Sequence, residues 1–553
     1  MKTVIIGGVA GGMSAATRLR RLDEAAEIVV LERSGHVSFA NCGLPYYVGG
    51  VISNRNALLL QTPSSLKARF GIDVRVNTEA LSIDRAARTV LVRDLATGEQ
   101  YTESYDALVL APGAAPFVPP IPGVERALAL RNIGDTDAMA SAVDTVLEQA
   151  ERERLGGGAD ASAEPTAVIM GGGFIGIELA ENLTERGLKV VVVELADQIL
   201  APLDVEMAAL VATHLVKKGV DVRTGASVAS IGADTVELSD GTTLPAHLVV
   251  AAIGVRPETR LAEDAGLELG ARGGILVDEH QRTSDPAVFA VGDAVVKRDA
   301  VTGDQALVPL AGPANRHGRL VADVIAGRPV ASRTVLGTAI VGAFGLVAAA
   351  TGWTEKRAVA AGRRIRVIHS HPANHAGYYP GAEGMSLKLV VDADTDAILG
   401  AQGVGGAGVD KRIDVIATAM RGGLTASDLA DLELSYAPQF GSAKDPVNML
   451  GFIAENLRDG LTETIQWHEV AGEVARGVQL IDVRTPAEYA RGTVDGAVNI
   501  PVDDLRARLD EVADEVIVHC QVGLRGYLAA RTLAQHGRRV RNLDGGYRTW
   551  ARI

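Results

Sequence analysis

Two segments of the chain share one pattern. A β-branched strand, Thr3-Val4-Ile5-Ile6, runs into Gly7-Gly8-Val9-Ala10-Gly11-Gly12 and then into a helix carrying Ala15, Ala16 and Leu19. A second strand, Glu27 to Leu31, ends at Glu32. The same order recurs in Ala167-Val168-Ile169-Met170, Gly171-Gly172-Gly173-Phe174-Ile175-Gly176, a helix through Leu179, Ala180 and Leu183, and a strand, Lys189 to Val193, that ends at Glu194. A βαβ unit with a glycine turn and an acid after its second strand is the fingerprint of dinucleotide binding. The first glycine makes the turn, the middle one lets the backbone approach a pyrophosphate, and the third packs helix on strand. The helix N-terminus then faces the phosphates. The first copy departs from this, with Val9 at the middle position. Two copies imply two dinucleotides, or one and a degenerate site.

Between the copies, Ser104 to Leu110 reads as a strand running into Ala111-Pro112-Gly113, and Leu248 to Ile253 as one running into Gly254-Val255-Arg256-Pro257. These are the two crossings expected where an inserted domain leaves and re-enters its parent. Glu151 to Thr166, charged and rich in Gly and Ala, reads as a surface loop. Asn456 to Glu463 reads as a linker, and a new α/β pattern starts at Gln479.

At roughly 150 residues per domain, 553 residues make three or four domains. A net charge of -14 argues against a broad basic surface for nucleic acid. Only two cysteines, Cys42 and Cys520, exclude a disulfide scaffold and fit a reducing, cytoplasmic setting. The apolar N-terminal run is too short for a signal peptide. Thr334 to Trp353 is uncharged but glycine-divided, so buried strands are expected there and no membrane span. His369, His371 and His375 have no cysteine or carboxylate at matching spacing, so no metal is expected; a polar loop is.

The order of motifs from 1 to about 450 resembles the pyridine-nucleotide disulfide oxidoreductases. The resemblance implies FAD on the first fingerprint, with Gly7, Ala10, Gly11, Gly12, Glu32, Arg33, Ala111 and Gly113. Thr283 to Asp293 resembles the second flavin motif, implying Gly292, Asp293 and Pro309. The second fingerprint would hold the nicotinamide cofactor with Gly171, Gly173, Phe174, Ile175, Gly176, Glu178, Glu194 and Gly254. Glu194 repels a 2′-phosphate, so NADH is preferred over NADPH; ~1–2 kcal/mol makes this roughly tenfold. Ser38-Phe39-Ala40-Asn41-Cys42-Gly43-Leu44-Pro45-Tyr46 resembles the single-cysteine branch, which also accounts for Val9. With Pro45 in the first turn of a helix, the Cys42 thiolate is expected to gain from the macrodipole. Ser14, Arg21, Ser38 and Asn41 match coenzyme A contacts of the coenzyme A disulfide reductases; Arg18 stands where a polar contact is usual there, and Lys444 would contact coenzyme A. Tyr436 and Tyr379, the latter favoured over Tyr378, match that group's active-site tyrosines. Tyr436 would reach the partner's site in a homodimer.

The C-terminal region resembles a rhodanese domain, in Leu480 to Tyr489, Gly492 to Pro501, Val516 to Gly526 and Asp544 to Trp550. A Cys-x4-Arg loop at a helix start cradles a persulfide in backbone N–H groups, and Arg525 would hold an anionic sulfur donor. The expected architecture is α/β: an FAD domain (1–113 and 250–325), a nested NAD(P)H domain (114–249), an α+β dimerisation domain (326–450), a linker (451–466) and a rhodanese domain (467–553). The whole-length architecture resembles the coenzyme A disulfide reductase–rhodanese fusions, which implies an NADH-dependent flavoprotein that reduces coenzyme A persulfide, polysulfide or coenzyme A disulfide through Cys42, with Cys520 handling sulfane sulfur. The alternatives are an NADH oxidase or peroxidase using a Cys42 sulfenate, and a flavin-based redox-sensing interaction protein.

Overall fold

In the computed structural model, which describes residues 1–156 and 164–552, Lys2–Ile6 is the centre of a five-stranded parallel sheet. Its strand order is Val288–Ala290, Ala107–Leu110, Lys2–Ile6, Glu27–Leu31, Asp73–Arg75. The β-branched strands are buried on both faces, as a parallel sheet requires. The insertion is explicit, because Ala107–Leu110 pairs with Val288–Ala290 across some 180 residues of sequence. The expected crossings pair with each other, Ala114–Pro116 running antiparallel to Val255–Pro257. Between them a second parallel sheet has the order Asp221–Arg223, Lys189–Val193, Thr166–Met170, Leu248–Ala251. Each sheet is accompanied by a three-stranded antiparallel meander, Thr78–Ser104 and Val228–Pro245.

These domains form one compact unit, Met1–Asp197 with Gly219–Gly337; Gln198–Lys218 belongs with Thr338–Ile553 in a second. The segment 198–218 therefore leaves the expected nicotinamide domain. Its helix, Val205–Lys217, lies on a five-stranded antiparallel sheet in the order Ala339–Ala343, Leu346–Gly352, Ile398–Gly405, Met385–Asp392, Ile365–Ser370. The uncharged window falls on the hairpin of this sheet, and no helix among the described residues is long and apolar enough to cross a membrane.

Two loop expectations are corrected. Residues 151–156 continue the helix Ile133–Gly156, while 157–163 lie outside the described residues. The segment 451–466 is no linker. The helix Pro446–Arg458, started by an Asp445–Asn448 capping box, covers its first half, because the apolar face of Val447, Leu450 and Ala454 is buried against the antiparallel sheet's core. Glu463–Ile465 then joins the rhodanese sheet beside Arg539–Leu543. That sheet is wholly parallel, in the order Glu463–Ile465, Arg539–Leu543, Glu515–His519, Gln479–Asp482, Val498–Asn499.

A buried charge cluster joins the rhodanese domain to the antiparallel sheet. His369 donates its backbone N–H to Asp544 (3.0 Å), and its ring lies between Asp544 Oδ2 (2.6 Å) and Glu206 Oε1 (3.1 Å). Lys388, fully buried, meets Glu206, Asp204 (3.0 Å) and Glu355 (2.6 Å). The two flanking carboxylates outweigh burial and hold the His369 ring at about 9. A group raised from about 6.5 stabilises the fold fully below that value and loses its contribution as pH rises through about 9. The rhodanese melting transition should therefore fall by pH 9.5 relative to pH 7, a loss on the order of 2–3 kcal/mol. Calorimetry of the wild type and of His369→Gln tests this; a shift that persists at full size in the variant assigns the effect to another group.

Candidate functional site

The two glycine turns are built alike. Glu32 accepts from Gly8 N–H (2.7 Å) and Ser34 N–H (2.8 Å); Glu194 accepts from Gly172 N–H (2.8 Å) and Ala196 N–H (3.0 Å). Each carboxylate is thus fixed at its strand end with acceptor capacity left for ribose hydroxyls. A Cβ on Gly12 would lie 1.9 Å from Gly7 O, and one on Gly176 2.0 Å from Gly171 O, so the third glycine is fixed by close approach. The middle position is different. Val9 (φ −113°) and Gly173 (φ −81°) both have negative φ, so neither position needs the left-handed freedom of glycine. Ala10 and Phe174 open the two helices, with Ile175 following Phe174.

Below the first turn, Asp293 follows Gly292 at the end of Val288–Ala290. Its Oδ1 is buried without a hydrogen-bond partner among the described residues, and burial pushes its carboxyl up. An orphaned acceptor there suits a ribityl hydroxyl, so these residues fit FAD, with Glu32 on the adenosine ribose. Under it, Lys297 gives its ammonium to Gly292 O (2.8 Å) and Val295 O (3.0 Å) and is held down to about 8 by burial. Nothing in the sequence pattern marked Lys297. Arg33 is engaged by Glu258, which also binds Arg131.

Cys42 lies in the single turn Asn41–Gly43, just before the five-residue helix Leu44–Val48. It keeps an exposed face. The protein packed on its other side, and the Glu178 and Asp293 carboxylates, push its thiol up. The expected macrodipole has only this one short turn of helix to act through, against burial and two acids. Glu178 accepts from Tyr46 Oη (3.1 Å), and burial pushes its carboxyl up. Cys42, Tyr46, Glu178 and Asp293 therefore form one titratable cluster.

The coenzyme A positions divide. Arg21 and Asn41 are exposed, and Ser14 Oγ donates to Asn315 (2.6 Å). Arg18, expected to meet a phosphate, is paired with Asp323 (2.8 Å), which also holds Arg328 (3.1 Å). Ser38 sits at φ 47° and donates its N–H to Gly8 O (2.8 Å), tying the cysteine loop to the first glycine turn.

In the second unit, Tyr378 Oη lies 3.0 Å from Tyr436 Oη, while the Tyr379 ring meets His375 edge-on. The hydroxyl next to Tyr436 is thus that of Tyr378, not of the favoured Tyr379. Arg412, buried, holds both loops: its guanidinium binds Asp445 (2.8 Å) and Asn374 O (2.8 Å). Lys444 is exposed beside it. Of the three histidines, His375 lies in the expected loop beside the tyrosines. His369 is buried in the charge cluster, and His371 bridges Ser386 (2.9 Å) and Thr549 (2.8 Å). Carboxylates remote in sequence, Glu206 and Asp544, supply what local spacing could not reveal. Asp204, Glu206 and Glu355 converge as cation ligands would, but the Lys388 ammonium stands among them.

Cys520 ends the strand Glu515–His519, is almost fully buried (1% exposed), and accepts from Gly523 N–H (3.2 Å) at the start of the helix Leu524–Gln535. Tyr547 and Arg548 N–H bind Cys520 O (2.8 Å) and Gln521 O (2.9 Å), closing the loop from behind. Arg484 braces it through Gln521 Oε1 (3.0 Å) while paired with buried Asp482. Arg525 is engaged by Glu488 through two bonds of 2.7 and 2.6 Å.

Two nested dinucleotide folds and a lone exposed cysteine at the flavin end define a flavin-dependent reductase, joined to a second α/β domain whose cysteine accepts a backbone N–H at a helix start. The chain belongs to the pyridine nucleotide-disulphide oxidoreductase family, whose model matches residues 1–318. The family's dimerisation domain matches 333–446, and a rhodanese-like domain matches 467–553. The chain is 31% identical to a coenzyme A disulfide reductase of Staphylococcus haemolyticus over 82% of its own length and all of that protein's. The reduced CoADR-RHD of Bacillus anthracis is 45% identical over the whole chain and 98% of that structure, with a TM-score of 0.95. A NAD-dependent persulfide reductase from A. fulgidus is 38% identical over both full lengths, with a TM-score of 0.90.

Gly12→Ala should give protein that purifies without yellow colour, because the added Cβ, 1.9 Å from Gly7 O, must push the helix off the turn. The flavin-to-protein absorbance ratio measures this; a wild-type ratio would show that the turn can relax.

Proposed function

We propose that this protein is an NADH-dependent flavoprotein that reduces coenzyme A persulfide, polysulfide or coenzyme A disulfide at Cys42, with Cys520 handling sulfane sulfur. The observation that carries this reading is the placement of the chain's two cysteines: one in the Glu178–Asp293 cluster, the other in the N–H cradle of the second domain. An oxidase or peroxidase has no use for the second. The named relatives, coenzyme A disulfide reductases and a persulfide reductase, support the substrate class.

FAD and NADH, when bound, supply two electrons per turnover. The Cys42 thiolate attacks the coenzyme A sulfur of a coenzyme A persulfide, forming a Cys42–coenzyme A disulfide and breaking the sulfur–sulfur bond, so that hydrosulfide leaves. With coenzyme A disulfide, the leaving group is coenzyme A thiolate. Two electrons then cleave the mixed disulfide, returning the Cys42 thiolate and coenzyme A thiolate, which takes one proton. Tyr436 with Tyr378 or Tyr379 supplies a phenol to the leaving thiolate in a homodimer. Exposed Arg21 and Lys444, with Ser14, Ser38 and Asn41, would hold coenzyme A. Glu194 favours NADH over NADPH. With no cysteine left for a structural disulfide, a reducing cytoplasm suits the chain.

Cys42→Ser should keep flavin reduction by NADH and lose at least nine-tenths of turnover with coenzyme A persulfide, a barrier rise of about 1.4 kcal/mol or more. Stopped-flow spectra with steady-state NADH oxidation separate the two steps, and retained turnover removes Cys42 as nucleophile. Cys520→Ser should depress turnover with polysulfide and spare coenzyme A disulfide; equal effects on both would remove the sulfur-handling role. Sedimentation at assay concentration should show a dimer, and an active monomer would exclude a phenol supplied in trans.

A further inference from the structure

The arginine of the Cys520 loop is the group expected to attract an anionic sulfur donor, yet it is already neutralised. Arg525 Nη1 meets Glu488 Oε2 at 2.7 Å and Nη2 meets Oε1 at 2.6 Å, with both side chains partly exposed. Its guanidinium also faces Cys520. Glu488 is held in turn: its Oε2 accepts from Thr485 N–H (3.0 Å) and Thr485 Oγ1 (2.9 Å), the capping box of the helix Pro486–Tyr489. The acid therefore comes preset by the fold, and Arg525 keeps it fully ionised, at about 2.

We propose that Glu488 is a specificity-determining residue of the Cys520 site: by pairing with Arg525 it cancels the charge that would draw in a dianionic donor. The site thereby disfavours thiosulfate and takes sulfur from donors of lower charge, such as persulfide and hydropolysulfide monoanions. This rests on the reading that Cys520 accepts sulfane sulfur. In that step the Cys520 thiolate attacks the outer sulfur of thiosulfate, a Cys520–sulfur bond forms, the sulfur–sulfur bond breaks, and sulfite leaves with the bonding pair. An arenethiosulfonate undergoes the same exchange with one negative charge and releases a sulfinate. Coulomb energy scales with donor charge, so Glu488 opposes the dianion about twice as strongly, in free energy, as the monoanion.

The test uses the full chain carrying Cys42→Ser, where one added sulfur by intact mass reports on Cys520 alone. Initial rates are measured for thiosulfate and an arenethiosulfonate with and without Glu488→Gln. The Gln oxygen still accepts from Thr485 N–H and keeps the cap, while its amide nitrogen cannot accept from Arg525. The second-order rate constant for sulfur loading should rise about tenfold with thiosulfate and about threefold with the thiosulfonate, the square root expected for half the charge. The difference should shrink in high salt. A thiosulfate-to-thiosulfonate ratio that stays level or falls overturns the proposal. Should Glu488→Gln fail to fold, Glu488→Asp, too short to hold both bonds, should move the ratio the same way by less, and no movement or the reverse overturns it. No sulfur on Cys520 from either donor in the parent overturns the underlying reading, whereas uptake with an unmoved ratio overturns the selectivity alone.

Discussion

The first unit depends on a contact made twice: a carboxylate at the end of a strand, bound by the N–H of the second glycine in the turn before it. Glu32 does this through Gly8 and Glu194 through Gly172, at 2.7 and 2.8 Å. The bond fixes the turn against the neighbouring strand. With the turn fixed, the helix can sit where its third glycine nearly touches the carbonyl of the first. The same carboxylate keeps acceptor capacity that a ribose hydroxyl could use. One side chain thus serves both the fold and the ligand, which is why the acid and the glycines recur together at the same spacing.

That double duty made this unit legible from sequence. A strand, a turn and an acid are local, and their spacing is dictated by one bonded geometry. The antiparallel hairpin at Ala339–Gly352, the paired crossings and the Cys520 loop were legible for the same reason. What was not legible depends on residues far apart in the chain. His369 looked like one of three histidines in a loop; its carboxylates arrive from positions 206 and 544. Arg18 looked free for a phosphate, but Asp323 is 305 residues away in sequence. The helix Val205–Lys217 reads as part of the nicotinamide domain until Asp204 and Glu206 meet Lys388 on another sheet. The segment 456–463 is polar enough for a linker, and only the buried face of the helix that enters it, Leu450 and Ala454, reveals that helix.

The two cysteines occupy opposite environments, and the contrast follows from helix length and burial. Cys42 precedes five helical residues, keeps an exposed face and has two acids nearby, which favour the protonated thiol. Cys520 is buried, precedes a helix of 12 residues and receives a backbone N–H at its sulfur. An exposed sulfur suits a site that a bulky substrate has to reach.

Three arginines show how the second unit separates bracing from binding. Arg412 and Arg484 are each about 2% exposed and each paired with a buried aspartate, Asp445 and Asp482. Their remaining N–H groups go to loop groups: Asn374 O beside the tyrosines, and Gly492 O and Gln521 Oε1 beside Cys520. Removing one partner of such a buried pair strands a charge, at a cost of about 3–5 kcal/mol, so both loops are held firmly. Arg525 is built for something else. It is partly exposed, its two bonds go to a single carboxylate, and that carboxylate is anchored independently by a helix cap. Breaking an exposed pair costs about 1 kcal/mol or less. That pair can therefore be altered without loosening the loop around Cys520, because Arg484, Tyr547 and Arg548 hold the loop without it.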